Sequence, residues 1–191
     1  MGRPRAFEAD SVVEQAMETF WTHGYANTSP AQLAEATGIA KGSLYNAFGS
    51  KRELFERALA RYDIMGTALA EGFLSQPGST RERIGAFLRL LVDSDLAQPD
   101  RRGCLVVNTA TEFAGHDPEI TRTVRGMLEH TAAALRARIE QGRRDGDVRA
   151  EVDPQAMAEF LLNTIAGLRV LAKAHDAPTL HRIIDTAVTT L

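Results

Sequence analysis

Apolar residues recur three and four places apart along nearly the whole chain, and no stretch alternates in twos for long enough to argue for a sheet. The backbone must then close its hydrogen bonds within helices, and the fold class is all-α, with about nine of them. Capping chemistry marks the starts. Ser29, Pro30 and Gln32 combine a capping box with proline in the first turn, and Ser50 with Glu53 and Ser79 with Glu82 repeat the box. Asp117-Pro118 and Asp153-Pro154 each set an N-cap aspartate before a first-turn proline.

Glycines supply the stops, at Gly24, Gly38 and Gly49, where a left-handed residue closes a helix without a Cβ penalty. Three short helices are therefore expected at 8–23, 30–37 and 41–48, followed by a longer one at 51–73. Further helical patterns cover 80–96, 102–114, 118–141, 154–173 and 178–191, and the polar stretch 142–153 reads as a loop.

Composition narrows the function classes. The 191 residues carry 25 acids and 22 bases, a net charge of -3, which excludes a histone-like basic protein. A single cysteine, Cys104, excludes an intramolecular disulfide and any zinc site needing two cysteines of one chain. No apolar run approaches the roughly 18 residues of a membrane span, and the first residues lack a signal-peptide core. A cytoplasmic protein without cofactor, structural metal or membrane is expected.

The chemistry concentrates in residues 30–52. Two short helices joined by Thr37-Gly38-Ile39-Ala40 match a helix-turn-helix, with Leu33, Ala34, Ile39, Leu44 and Phe48 expected to pack it against Phe20 and Trp21. The opposite face of the second short helix is polar: Lys41, Gly42, Ser43, Tyr45 and Asn46. Residues 39–52 hold Lys41, Lys51 and Arg52 and no acid, although the first 62 residues sum to zero charge. Duplex DNA rewards such a local positive potential through counterion release, and its major groove admits one helix. An N-terminal arm with Arg3 and Arg5 would add minor-groove or backbone contacts.

The run Ala16-Met17, Phe20-Trp21, Gly24-Tyr25, Thr28-Ser29, Leu33-Ala34, then Gly38 through Lys51, then Leu54-Phe55, closely resembles the DNA-binding domain of the TetR family of bacterial transcriptional repressors. The resemblance covers about residues 7–56. It implies a homodimer on a palindromic double-stranded DNA operator, with a helix-turn-helix domain at 1–50, a linking helix at 51–73, and a ligand-sensing and dimerising domain at 51–191. By the same resemblance, Thr28, Ser29, Tyr45 and Lys51 correspond to phosphate contacts. Lys41, Gly42, Ser43 and Leu44 sit where the family reads base edges. Asn46 departs from the usual histidine or tyrosine, and its role stays open between base and phosphate. Capping alone would also explain Thr28, Ser29 and Ser50.

Residues 63–191 carry 18 acids and 15 bases, with no affinity for DNA evident in their charge. The last two helices are apolar enough to need covering, so the two-fold interface is expected there as a four-helix bundle, through Leu161, Ile165, Ala166, Leu168, Ile184 and Val188, although intramolecular core would account for part of that surface. Cys104, Asn108 and Glu112 fall on one face at four-residue spacing, and Asn108 is either hydrogen-bonded within the fold or facing a cavity. The residues expected around a small-molecule effector are Phe73, Phe87, Leu91, Cys104, Asn108, Met127, His130, Phe160, Asn163 and Thr164. The fourth helix, reaching from the helix-turn-helix toward that cavity, is the expected transmitter. Rival readings are a thiol or metal sensor using Cys104 with His130, an architectural DNA binder, and a small enzyme. The last lacks any nucleophile motif, phosphate loop or metal-binding helix.

Overall fold

The computed structural model describes residues 6–113 and 115–191, with side chains from Ala9 onward, so the contacts expected of Arg3 and Arg5 lie outside the described residues. Among these residues the chain forms nine helices and no strand: α1 (Ala6–His23), α2 (Pro30–Thr37), α3 (Lys41–Phe48), α4 (Lys51–Leu74), α5 (Thr80–Ala97), α6 (Leu105–Phe113), α7 (Pro118–Asp145), α8 (Pro154–Leu171) and α9 (Ala177–Val188). Capping chemistry starts them where the sequence places it. Ser29 and Ser79 each complete a reciprocal box, with Gln32 and Glu82, and Asp153 accepts from the Gln155 N–H.

Several boundaries differ from the sequence reading by one to four residues, among them α8, which ends at Leu171, and α9, which ends at Val188, and three of the differences have a clear physical reason. α6 starts at Leu105 rather than 102, because Arg101 and Gly103 both take positive φ, 42° and 69°. α7 runs through Gly142 to Asp145 and stops at Gly146, the left-handed residue. Gly142 is a packing glycine: a Cβ there would lie 2.2 Å from Thr80 Oγ1 and 2.4 Å from Asp147 Oδ1. α9 starts one residue early, because Asp176 caps it by accepting from the Thr179 N–H.

Two compact units divide the chain, one joining residues up to Met65 with Leu105–Arg122, the other joining Gly66–Cys104 with Thr123–Leu191. The boundary expected at residue 50 falls inside the first unit. The cause lies in packing: residues 51–65 of α4 and all of α6 share the core of the three short helices. Phe20 meets Phe55 edge-on at 4.9 Å between ring centroids, Tyr25 lies 4.9 Å from Phe55 and 5.2 Å from Phe113, and Trp21 meets Tyr62 at 4.8 Å. Leu33, Leu44, Leu54, Ala58 and Leu59 complete the buried interior. Helices of eight residues are marginal in water, so α2 and α3 persist through this burial rather than through propensity.

The second unit packs α5, α7, α8, α9 and the end of α4 around Ile84, Leu88, Val92, Leu135, Ile139, Leu161, Leu180 and Ile184. Two polar devices tie it together. Asp147 accepts from both the backbone and hydroxyl of the buried Thr80, at 2.6 and 2.9 Å, fixing the α7–α8 loop to the start of α5. Arg169 of α8 forks onto Asp95 of α5 at 2.8 and 2.6 Å and also donates to the Gly103 carbonyl at 2.9 Å, all three buried. Both charged side chains are 10% exposed or less.

Removing one partner of such a pair leaves an unpaired buried charge, which costs about 3–5 kcal/mol. Asp95→Ala is therefore expected to lower the urea-unfolding free energy of the second unit by that amount. The double change Asp95→Leu with Arg169→Met should recover most of the loss, which equilibrium urea titration will measure.

Candidate nucleic-acid interface

The interface is built on the turn Thr37–Ala40. Gly38 takes φ 65°, and its N–H bonds the Glu35 carbonyl, ending α2 within one residue. Ala40 then starts α3 with no side-chain cap, and no acid stands in its first turn. The first N–H groups of α3 are thus left for an external acceptor at the positive end of the helix dipole. Lys41, Gly42, Ser43, Asn46 and Ala47 are exposed, and a Cβ added at Gly42 would meet nothing within 4 Å. The protein itself does not require glycine at that point.

Two expected contacts are withdrawn from this face. Leu44 is 0% exposed, packed inward with Phe48, because on an eight-residue helix one side must hold the scaffold; it cannot reach base edges. Thr28 is also 0% exposed, and its hydroxyl donates to the Gly24 carbonyl at 2.6 Å, so it neither caps α2 nor meets phosphate through its side chain. Ser29 does cap α2 and remains partly exposed.

Tyr25, in the loop before α2, gathers the remaining groups. Lys51 Nζ sits 4.3 Å from the centre of its ring, a cation–π contact. Burial lowers the Lys51 pKa while the Glu112 charge opposes the shift. Tyr45 is half-buried, its hydroxyl enclosed without a hydrogen-bond partner, and burial followed by the neighbouring Tyr25 raises its pKa. The phenol is therefore a neutral donor. From α6, Glu112 accepts the Tyr25 N–H at 2.9 Å and the Ala26 N–H on its other oxygen, holding the α1–α2 loop by its backbone. Sequence spacing placed Glu112 on one face of α6 with Cys104 and Asn108. Its docking on this loop carried no local signal, because the two segments are 86 residues apart.

Arg52 does not contribute the free charge that its position suggests. Its guanidinium forks onto Asp117 and also reaches Glu119 at 3.1 Å and Glu56 at 2.8 Å. The Arg52 hydrogen bond, followed by the Ile120 N–H, holds Asp117 down at about 2. The local positive potential therefore rests on Lys41 and Lys51.

In the second unit the residues expected to bind an effector separate into groups. Phe73, Phe87 and Leu91 pack within the hydrophobic core, with the two rings 6.2 Å apart, and Met127 is buried too. His130 is exposed, in a cleft of about 360 Å³ between the end of α4 and the middle of α7. Cys104 is half-buried immediately before α6, while Asn108, on α6, belongs to the first unit. Phe160, Asn163 and Thr164 lie on the outer side of α8, not in an internal pocket. The dimer residues invert correspondingly. Leu161, Ile165, Leu168, Ile184 and Val188 are buried in the protomer's own core, and Ala166 is half-buried. The helical stripe that faces inward is thus already used, and the outward stripe carries Phe160 (44% exposed), Gly167 and Val170 (50%), with Ile183 on α9 half-buried. Among the described residues no group of three or more histidine, cysteine or acidic side chains is arranged to hold a metal, and no helix is long and apolar enough to cross a membrane.

Comparison with known proteins agrees with this architecture along the whole chain. Residues 12–58 match the model of the bacterial regulatory proteins of the tetR family, and residues 80–188 match the tetracyclin repressor-like C-terminal domain. The transcriptional repressor ComR of Escherichia coli is 29% identical over all of this chain and 90% of its own length. The transcriptional regulator YezE of Bacillus subtilis is 31% identical over the full length of both. Among solved structures, the TetR family regulator CifR, a triple cysteine mutant complexed with a 26-bp double-strand operator, superposes with a TM-score of 0.85 at 34% identity, covering 98% of each chain. The stearoyl-CoA complex of the Bacillus subtilis regulator FadR shares the fold, with a TM-score of 0.76 at 14% identity over 96% of this chain and 99% of that one. Helix-turn-helix, effector fold and relatives converge, and the chain belongs to the TetR family of bacterial regulatory proteins.

Proposed function

We propose that this protein is a homodimeric repressor in the bacterial cytoplasm, associated with the nucleoid while it holds a palindromic operator, and released by a small-molecule effector. The observation that carries the reading is the exposed, uncapped face of α3. It is anchored by Leu44 and Phe48 and offers Lys41, Gly42, Ser43 and Asn46 to base edges. Ser29 and Lys51 flank it as phosphate contacts, whereas the enclosed Tyr45 hydroxyl is not open to a phosphate in this conformation. The operator complex of CifR and the repressor role named for ComR support the same reading.

Two such faces must be held about 34–36 Å apart to enter successive major grooves. The outward stripe of α8 and α9 is the surface assigned to the partner subunit, since Phe160 and Val170 otherwise stand about half exposed to water. Effector binding in the second unit has three covalent routes to the first: within α4 after Met65, at Cys104–Leu105 ahead of α6, and within α7 after Arg122. The α6 route ends at Glu112, which holds the loop from which α2 starts. A coupling of about 1–3 kcal/mol along these routes changes operator affinity roughly 5- to 150-fold. A thiol response is the second reading, because Cys104 stands at the α6 crossing and the CifR–operator structure was solved with cysteines replaced. Retained release in Cys104→Ser would remove it.

Operator binding by the purified dimer tests the main reading. Lys51→Ala should weaken binding to all sequences and flatten the plot of log affinity against log salt by about 0.9, one phosphate. Lys41→Ala should instead relax base preference, by roughly 1–3 kcal/mol at the contacted position in a competition footprint. Glu112→Ala is expected to keep its helical circular dichroism yet lose roughly 1–3 kcal/mol of operator affinity; unchanged affinity would sink the α6 route. Phe160→Glu should convert the protein to a monomer in sedimentation and abolish operator binding at nanomolar protein, whereas a persisting dimer would place the interface elsewhere.

A further inference from the structure

The cleft between α4 and α7 contains an ionic anomaly. Arg138 is 7% exposed and lines the cleft, yet among the described residues no carboxylate pairs with it. Its Nη2 donates to the Gly78 carbonyl, and its Nε is enclosed without a hydrogen-bond partner. A buried guanidinium lacking a counter-charge is unfavourable. The second unit treats its other buried arginine differently, giving Arg169 a forked carboxylate.

Resting on the reading of the protein as an effector-released repressor, we infer that this cleft is the effector site and that its ligand is a small organic monocarboxylate with a short apolar tail, whose anion supplies the counter-charge that Arg138 lacks. A planar guanidinium matches a carboxylate in two parallel hydrogen bonds. Leu74, Ala133, Ala134 and Ala137 make a shallow apolar floor beside it, suited to an alkyl or phenyl body, and about 360 Å³ falls at the small end of ligand pockets. His130 stands two turns before Arg138 on the same helix, where it meets the far end of the ligand. Glu71 also lines the cleft and is exposed; its negative charge selects against a phosphate dianion more strongly than against a monoanion.

Calorimetry on the full-length protein without DNA tests the assignment, using hexanoate, the neutral isostere hexanamide and inorganic phosphate at pH 7.5, with operator affinity measured separately. Hexanoate should bind saturably and raise the melting temperature, while hexanamide and phosphate should not. Arg138→Met should weaken hexanoate binding about tenfold or more. The ligand-free variant should melt no lower than wild type, because it removes an uncompensated charge while keeping the volume. Equal binding of acid and amide, binding of phosphate alone, no binding of hexanoate to a folded wild type, or undiminished binding to Arg138→Met would each overturn the assignment. Operator binding that another compound releases, with hexanoate inert, overturns this site while leaving the repressor standing. Hexanoate bound through Arg138 without any change in operator affinity overturns the effector role and leaves the anion site.

Discussion

The structure turns on the aromatic knot Phe20–Tyr25–Phe55–Phe113. Two eight-residue helices are marginal alone, and the DNA-reading pair belongs to a core in which rings from α1, the following loop, α4 and α6 pack on one another. Tyr25 belongs to that knot, carries the Lys51 ammonium on its face and gives its backbone N–H to Glu112. Stability of the helix-turn-helix and placement of the Lys51 ammonium thus share one side chain. A disturbance of α6 acts on both together.

Neighbouring polar contacts repeat the pattern of long-range partners fixing short segments. Arg52 ties α4 to the start of α7 through Asp117, which simultaneously caps that helix with bonds to the Glu119 and Ile120 N–H groups. In the second unit Arg169, Asp95 and Gly103 secure the non-helical residues ahead of Cys104. The chain therefore enters α6 from a clamped junction and leaves it at a clamped loop.

Helix type, number and most starts were legible in the sequence, because caps such as Ser29–Gln32 and Asp153 are local and act through residues two or three places away. The polar face of α3 was legible for the same reason. Facing was harder. Leu44 lies in the reading segment by order but inside by rotation, and Leu161, Ile165 and Leu168 share apolar character with Phe160 and Val170 on the opposite stripe. Periodicity identifies two sides of α8 without saying which meets a partner. Partners distant in sequence left no trace: nothing near Arg52 announces Asp117, nothing near Glu112 announces Tyr25, and nothing near Arg138 announces its missing counter-charge. The polar stretch from residue 142 reads as a loop although α7 continues to Asp145, because the close approach of Thr80 that demands a glycine at 142 comes from a segment distant in sequence.

The division of labour within α3 has a consequence for how such proteins diversify. Its inward side chains carry the folding energy, while Lys41, Gly42, Ser43, Asn46 and Ala47 carry almost none, since they touch water on the free protein. Alphabet and chassis are uncoupled. With these positions reading the operator as proposed, a lineage would retarget to a new gene by substitutions at a handful of solvent-facing positions, none of which has to be matched by a compensating change in the interior.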